Sequence, residues 1–268
     1  MKAIQQPFIF ILTLFFTISV SAQTGDTLPK PIKVSHAEPL YADLVRDLGA
    51  RKGEKEFNLG AGFKNHHGYG EYSALVEYEF APVNRLGLEV EADFSFFRRT
   101  EKNTAVPGNR LENLRFSMQY SFFVSEKMNT TLAAGYTQVF EFTDFKNYGK
   151  NHLFSATVYN PFVIAAKRWG GNFHTLVYTG PLLKHDFDEQ GVDVEWQINS
   201  SLIYTIPGSG HFVGVEFNKE IHHGKFEMTI RPQVKIKINK KLALGLVAGL
   251  PVHKEEGFSS FFRVIFEP

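Results

Sequence analysis

Three groups of side chains in this sequence have the type and spacing to do chemistry. The first is a set of carboxylates, Glu71, Glu77, Glu79, Glu89, Glu91 and Asp93, which alternate with apolar residues in two adjoining segments. The second is basic: Arg231, Lys235 and Lys237 in a later segment, joined by Arg263 close to the end of the chain. Turned inward from a common wall, acid and base would occupy different sectors. That arrangement sets a transverse field across a narrow aqueous path, ordering water and selecting small polar solutes. The same charges paired with one another would instead fill and rigidify the interior. The third group is histidine. Of 10 in the chain, His66, His67, His152, His185, His222, His223 and His253 fall at loops or segment ends. Imidazoles on a rim bind Zn, Cu or Ni, or change charge between about pH 5 and 8. Neighbours on an extended strand point to opposite faces, however, so the pairs His66-His67 and His222-His223 are weak metal candidates. No carboxylate–His spacing supports a metal centre, and neither a metal nor another cofactor is expected.

Catalytic readings find less. The chain has no Cys, which removes thiol nucleophiles, disulfides and thiolate metal sites. No His-x-Ser pair occurs, and His185-Asp186 with Asp188 is one loop pair without a second acidic couple; it reads as solvated loop charge. Gly60-Ala61-Gly62 sits inside a strand-like segment, where Gly marks bends or close packing rather than a phosphate loop. No enzyme is expected. Lys+Arg 29 against Asp+Glu 28 leaves a net charge of +1, without the basic excess of a nucleic-acid binder.

The elements that must position these residues begin with an export signal. Residues 1–22 carry Lys2 in a short n-region, an apolar stretch from Phe8 to Val20 and the small-residue ending Val20-Ser21-Ala22. The apolar stretch is shorter than the roughly 20 residues of a spanning helix, and no later run approaches that length. Residues 23–54 read as a periplasmic linker, with Pro29 and Pro31, followed by a short helix over 36–49. Leu40, Tyr41, Leu44, Val45 and Leu48 share one face of that helix; Asp43, Arg46 and Asp47 lie opposite. About three turns are unstable alone, so the helix must dock: in the barrel lumen as a plug, at the periplasmic mouth, on a periplasmic or membrane partner, or simply against the first strand.

From Lys55 to Phe266 follow twelve segments with period-2 patterning separated by turn signals. Tyr72, Ala74, Val76, Tyr78 and Phe80 alternate with Glu71, Ser73, Leu75, Glu77 and Glu79. Leu86 to Phe96 alternate with Glu89, Glu91, Asp93 and Ser95; Val192 to Tyr204 and Phe226 to Ile238 repeat the pattern. Segments five, six, seven and nine alternate less cleanly. Segments of about ten residues match a tilted crossing of the hydrocarbon layer, and every second connection is short, as in outer-membrane barrels. The fold expected is all-β: an antiparallel transmembrane β-barrel of about 12 strands, residues 55–268, preceded by a short amphipathic helix.

The mature chain resembles bacterial outer-membrane β-barrels along its length. Its ending, Phe258 to Phe266 with Phe262, Val264 and Phe266 on one face, resembles the last strand read by barrel-assembly machinery. The block from His36-Ala37-Glu38-Pro39-Leu40 through Arg46-Asp47-Leu48-Gly49-Ala50-Arg51-Lys52-Gly53-Glu54 resembles that of an uncharacterised outer-membrane barrel family typical of Bacteroidetes. This resemblance implies the barrel but no activity and no site residues. The expected location is the bacterial outer membrane, with its lipid and the assembly machinery as partners and no nucleic acid. The expected role is a small-solute channel. The alternative is a non-conducting barrel that recruits a partner through its N-terminal helix, and the third reading is an outer-rim hydrolase.

Overall fold

The computed structural model describes residues 31–268 apart from 43, 151 and 254–256. The expected signal peptide, 1–22, and linker residues 23–30 lie outside the described residues. Twelve strands follow: β1 Lys55–His66, β2 Tyr69–Val83, β3 Leu86–Arg99, β4 Arg110–Ser125, β5 Thr130–Phe142, β6 Phe154–Trp169, β7 Phe173–Asp186, β8 Asp193–Thr205, β9 Phe212–His222, β10 Lys225–Lys237, β11 Leu242–Pro251 and β12 Ser259–Phe266. Each pairs antiparallel with its neighbours in sequence, and β1 pairs with β12 from Phe57↔Phe266 to Lys64↔Ser259. Closure leaves no open edge, which is the condition for crossing hydrocarbon as strands, because every backbone polar group in lipid must be paired internally.

The alternation in sequence becomes two surfaces. On β2, Tyr72 and Val76 are 45% and 51% exposed, whereas Glu77 and Glu79 are buried. On β3, Val90 and Phe96 face out, while Glu89, Glu91 and Ser95 face in. Leu59, Val163, Val177, Trp196, Leu202 and Leu246 extend the apolar exterior around the cylinder. Trp169 and Phe173 lie beside one end, where the Lys167 ammonium sits over the Trp169 ring at 4.9 Å, an arrangement suited to a lipid–water interface. The connections at that end, such as 84–85, 126–129 and 170–172, are short. At the opposite end 100–109 and 143–153 are long, although 67–68 and 223–224 are two-residue hairpins. The chain enters β1 and leaves β12 at the short-turn end, the periplasmic side of an outer-membrane barrel. This is an outer-membrane barrel by closure, exterior and strand number.

The expected helix over 36–49 does not form. The described residues of 31–54 are extended chain with bends and turns, and they run inside the barrel rather than beside it. The core divides accordingly. Leu44, Val45 and Leu48 pack with Ala133, Phe162, Ile164, Ala166, Leu176 and Tyr178 of β5, β6 and β7. Ala37 and Leu40 join Ile203, Phe212, Ala243, Val247 and Ile265 on the other side.

Candidate functional site

The site is the lumen and the segment lodged in it. A helix would satisfy backbone N–H groups within itself. Here they are donated to wall side chains instead. Ala37 N–H reaches His174 Nδ1 at 3.0 Å, and Leu40 N–H reaches Gln233 Oε1 at 2.7 Å. Ala42 N–H reaches Glu216 Oε1 at 2.8 Å, and Gly49 N–H reaches Ser121 Oγ at 2.9 Å. In the other direction, Gln119 Nε2 donates to the Arg46 carbonyl at 2.7 Å. The acceptors belong to β4, β7, β9 and β10, so the segment is held from several sides. Two wall glycines admit it: a Cβ at Gly87 would lie 2.5 Å from the Arg46 Cβ, and one at Gly245 would lie 3.0 Å from both Leu40 Cδ atoms.

Arg46 is the electrostatic centre. The sequence pattern set it on an exposed polar face; it is 2% exposed. Its Nη1 lies 2.7 Å from Glu56 Oε2 and 3.2 Å from Glu79 Oε2. Asn58 Nδ2 braces the same carboxylates, at 3.0 Å from Glu56 and 2.9 Å from Glu79. Lys33 Nζ ties Asp47 and Glu54 together at 2.7 Å each. Burial alone would raise Asp47, but Arg46 and Lys33 outweigh it and hold the carboxyl well below the usual range. Glu38, which accepts the Leu48 N–H at 3.0 Å, goes the other way: burial, with Asp47 adding to it, pushes it up to about 8. Burial, with His174 and Arg168 nearby, drops His36 to about 4.

Between this segment and the long-loop end lies a cavity of about 420 Å³, floored by Tyr41 and Val45 and walled by Glu89, Glu91, Arg115 and Tyr178 among others. That volume falls in the range of small-molecule pockets. Its charges are locally matched. Arg115 lies 3.3 Å from Glu91 and 3.4 Å from Asp93, Ser117 Oγ donates to Glu89 at 2.9 Å, and Arg263 reaches Glu77 at 3.2 Å. A smaller cavity of about 140 Å³ is lined by Glu71, Tyr41 and Arg231, whose guanidinium stacks on the Tyr41 ring at 3.5 Å.

The structure sorts the residues expected from sequence. Glu89, Glu91, Asp93 and Arg263 line the larger cavity and Glu71 and Arg231 the smaller one. Glu77 is paired with Arg263 and Glu79 with Arg46. Lys235 and Lys237 border a space of about 80 Å³ by the β10–β11 turn. Leu40, Leu44, Val45 and Leu48 are buried against the wall, whereas Tyr41 is 46% exposed toward the cavities. His66 pairs with Glu71 at 2.7 Å and stacks on Tyr69, and His67 is exposed. His222 and His223, by contrast, converge on Asp193. His185 Nδ1 meets the Gly191 carbonyl, and Asp186 accepts the Asp188 N–H, an ordinary loop closure. Sequence reasoning missed Arg115, Glu56, Asn58 and Glu216. All four carry the same signal, a charged or polar residue at an inward position of an alternating segment; Glu56 and Asn58 alternate with Phe57 and Leu59 on β1.

A sequence model of the HAEPLYID-like family matches residues 32–267. Curated protein sequences give no match. Among solved structures, an outer membrane channel from Pseudomonas putida F1 superposes with a TM-score of 0.62 at 13% identity, covering 82% of this chain and 97% of the other. The NanC porin gives 0.56 at 10% identity, covering 79% and 99%. The KdgM porin gives 0.55 at 11%, covering 79% and 98%. At such identities the likeness is one of fold.

Proposed function

The chain belongs to the HAEPLYID-like family, and we propose that it is an outer-membrane channel for small polar solutes whose lumen its own N-terminal segment, residues 31–54, occupies as a plug. The observation that carries this reading is the docking itself: backbone and side chains of the segment engage wall residues on every side, beneath a polar cavity of about 420 Å³. A wall built only to fill a closed barrel has no need of a separate, sequence-local filler. A separate filler can leave without unfolding the sheet, because the strand ladder does not pass through it.

On this reading Glu89, Glu91, Asp93 and Arg115 set the polarity of the path. Carboxylate and guanidinium side by side offer a solute donors and acceptors of both signs instead of a field of one sign. Arg231 and Glu71 do the same in the side cavity, and Lys235 and Lys237 stand at the periplasmic mouth. Recruitment of a partner through Leu40, Leu44, Val45 and Leu48 would first require undocking, since those side chains are spent on the wall.

Swelling of proteoliposomes in small neutral sugars tests the reading. Full-length protein is expected to admit them slowly, and a variant lacking residues 23–50 quickly. Silence from both proteins would abolish the channel; equal rates would abolish the plug.

A further inference from the structure

At the long-loop end, the β9–β10 hairpin turns in two residues, His223 and Gly224, both in the left-handed region with φ of +48° and +75°. Such turns favour Asn, Asp or Gly at the first position, where positive φ is cheap. A histidine there runs against the local preference, and its consequence is geometric. Adjacent residues of an extended strand point to opposite faces. The left-handed step instead brings the His222 and His223 rings together, with centroids 4.2 Å apart.

A third group meets them from the neighbouring strand. Glu195 stands opposite His222 in the β8–β9 register, so Asp193 lies beyond it toward the loops. The Asp193 carboxylate is 2.8 Å from His222 Nε2 and 3.1 Å from His223 Nε2. The three donor atoms lie within 4.8 Å of one another, and among the described residues no other trio of His, Cys, Asp or Glu is so placed. Zn–N and Zn–O bonds of about 2.0–2.2 Å put the donors of a tetrahedral site about 3.3 Å apart, so small side-chain rotations suffice to admit an ion. The group is reachable from outside, the His223 side chain being 74% exposed. Glu195, Glu220 and Glu227 stand around it in register and favour a cation, against Lys225 directly across from His222.

We propose that Asp193, His222 and His223 form a divalent transition-metal site at the outer rim, with Zn²⁺ as its representative ion. Two neutral imidazoles and one carboxylate suit Zn, Ni or Cu; Ca²⁺ and Mg²⁺ prefer more oxygen ligands than are gathered here. Three protein ligands leave a fourth position open to water or to an incoming group. The inference stands apart from the channel reading, since nothing in the trio depends on the lumen.

The test is calorimetric titration of ZnCl₂ into the untagged full-length protein in detergent, with CaCl₂ as the comparison. One Zn²⁺ per chain is expected, weakened at least tenfold in Asp193→Asn and in His223→Gly. Glycine accepts a φ of +48° freely, so the second variant keeps the hairpin and removes only the ligand. Absence of Zn²⁺ binding, unchanged affinity in both variants, or Ca²⁺ binding as tight as Zn²⁺ would each overturn the site.

Discussion

Arg46 couples the lumen segment to the wall through one guanidinium shared by Glu56 and Glu79, all three side chains largely withdrawn from water. Removing one member of a buried ion group leaves the others desolvated and unpaired, at a cost of about 3–5 kcal/mol. Arg46→Ala should therefore undock the segment, read as lost amide-exchange protection across 31–50 with the strands still protected. Adding Glu56→Gln and Glu79→Gln should restore part of it, because the uncompensated charge is then gone. Glu38 makes docking depend on pH. Its ordinary value is near 4.5 and its docked value about 8, so the free segment loses the proton first and docking weakens as pH rises between these limits. His36 opposes this: its drop from 6.5 to about 4 makes docking strengthen as pH rises through that lower window. The two offset each other up to about pH 6.5, and above it His36 no longer opposes Glu38. Protection of 31–50, corrected for intrinsic exchange, should fall from pH 6.5 to 8 in the wild type and stay level in Glu38→Gln; a level wild-type profile would contradict the assignment. Little of this was legible beforehand. The partners of Arg46 lie 10 and 33 residues away, and a helical wheel cannot see them.

At the scale of elements, Leu40, Leu44 and Leu48 follow helical spacing, yet they serve two different sectors of the wall: Leu40 packs toward β8, β9, β11 and β12, and the other two toward β5–β7. One helix face cannot point both ways, and wall side chains such as Gln233 and Glu216 take the backbone N–H groups that a helix would use. The same docking explains which strands were readable. β2, β3, β8 and β10 alternate cleanly because lipid lies on one side and polar groups on the other. β5, β6 and β7 turn Ala133, Phe162, Ile164, Ala166 and Leu176 inward to meet the segment, so both faces are apolar and the period is blurred. Leu48→Ala should loosen docking by about 2–5 kcal/mol, the range for a truncated buried leucine, seen as faster exchange of 44–50. Gly87→Leu places a side chain where the Arg46 Cβ now sits and should open Arg46 to trypsin in the folded barrel, whereas wild-type Arg46 should resist.

The whole molecule is a closed sheet whose exterior is matched to lipid and whose interior is matched to its own N-terminal chain. Membrane matching is testable at the mid-strand position Val76, 51% exposed on the outer face: Val76→Arg should destabilise the barrel by about 2–4 kcal/mol in bilayers, measured by urea unfolding. Barrel, strand number and inward acidic stripes were visible in the sequence because they repeat along the chain; lumen docking of the N-terminal segment was one of several placements the sequence left open, and its extended form and contacts were not legible, because those contacts are made once each. The most direct test uses the absence of native cysteine. Leu40→Cys with Gly245→Cys spans a close segment–wall contact, so a disulfide there locks the plug in place. Single-channel recording of that variant should show a small, steady conductance when oxidised and frequent larger openings when reduced. Identical traces in both states would mean that the N-terminal segment does not control passage through the barrel.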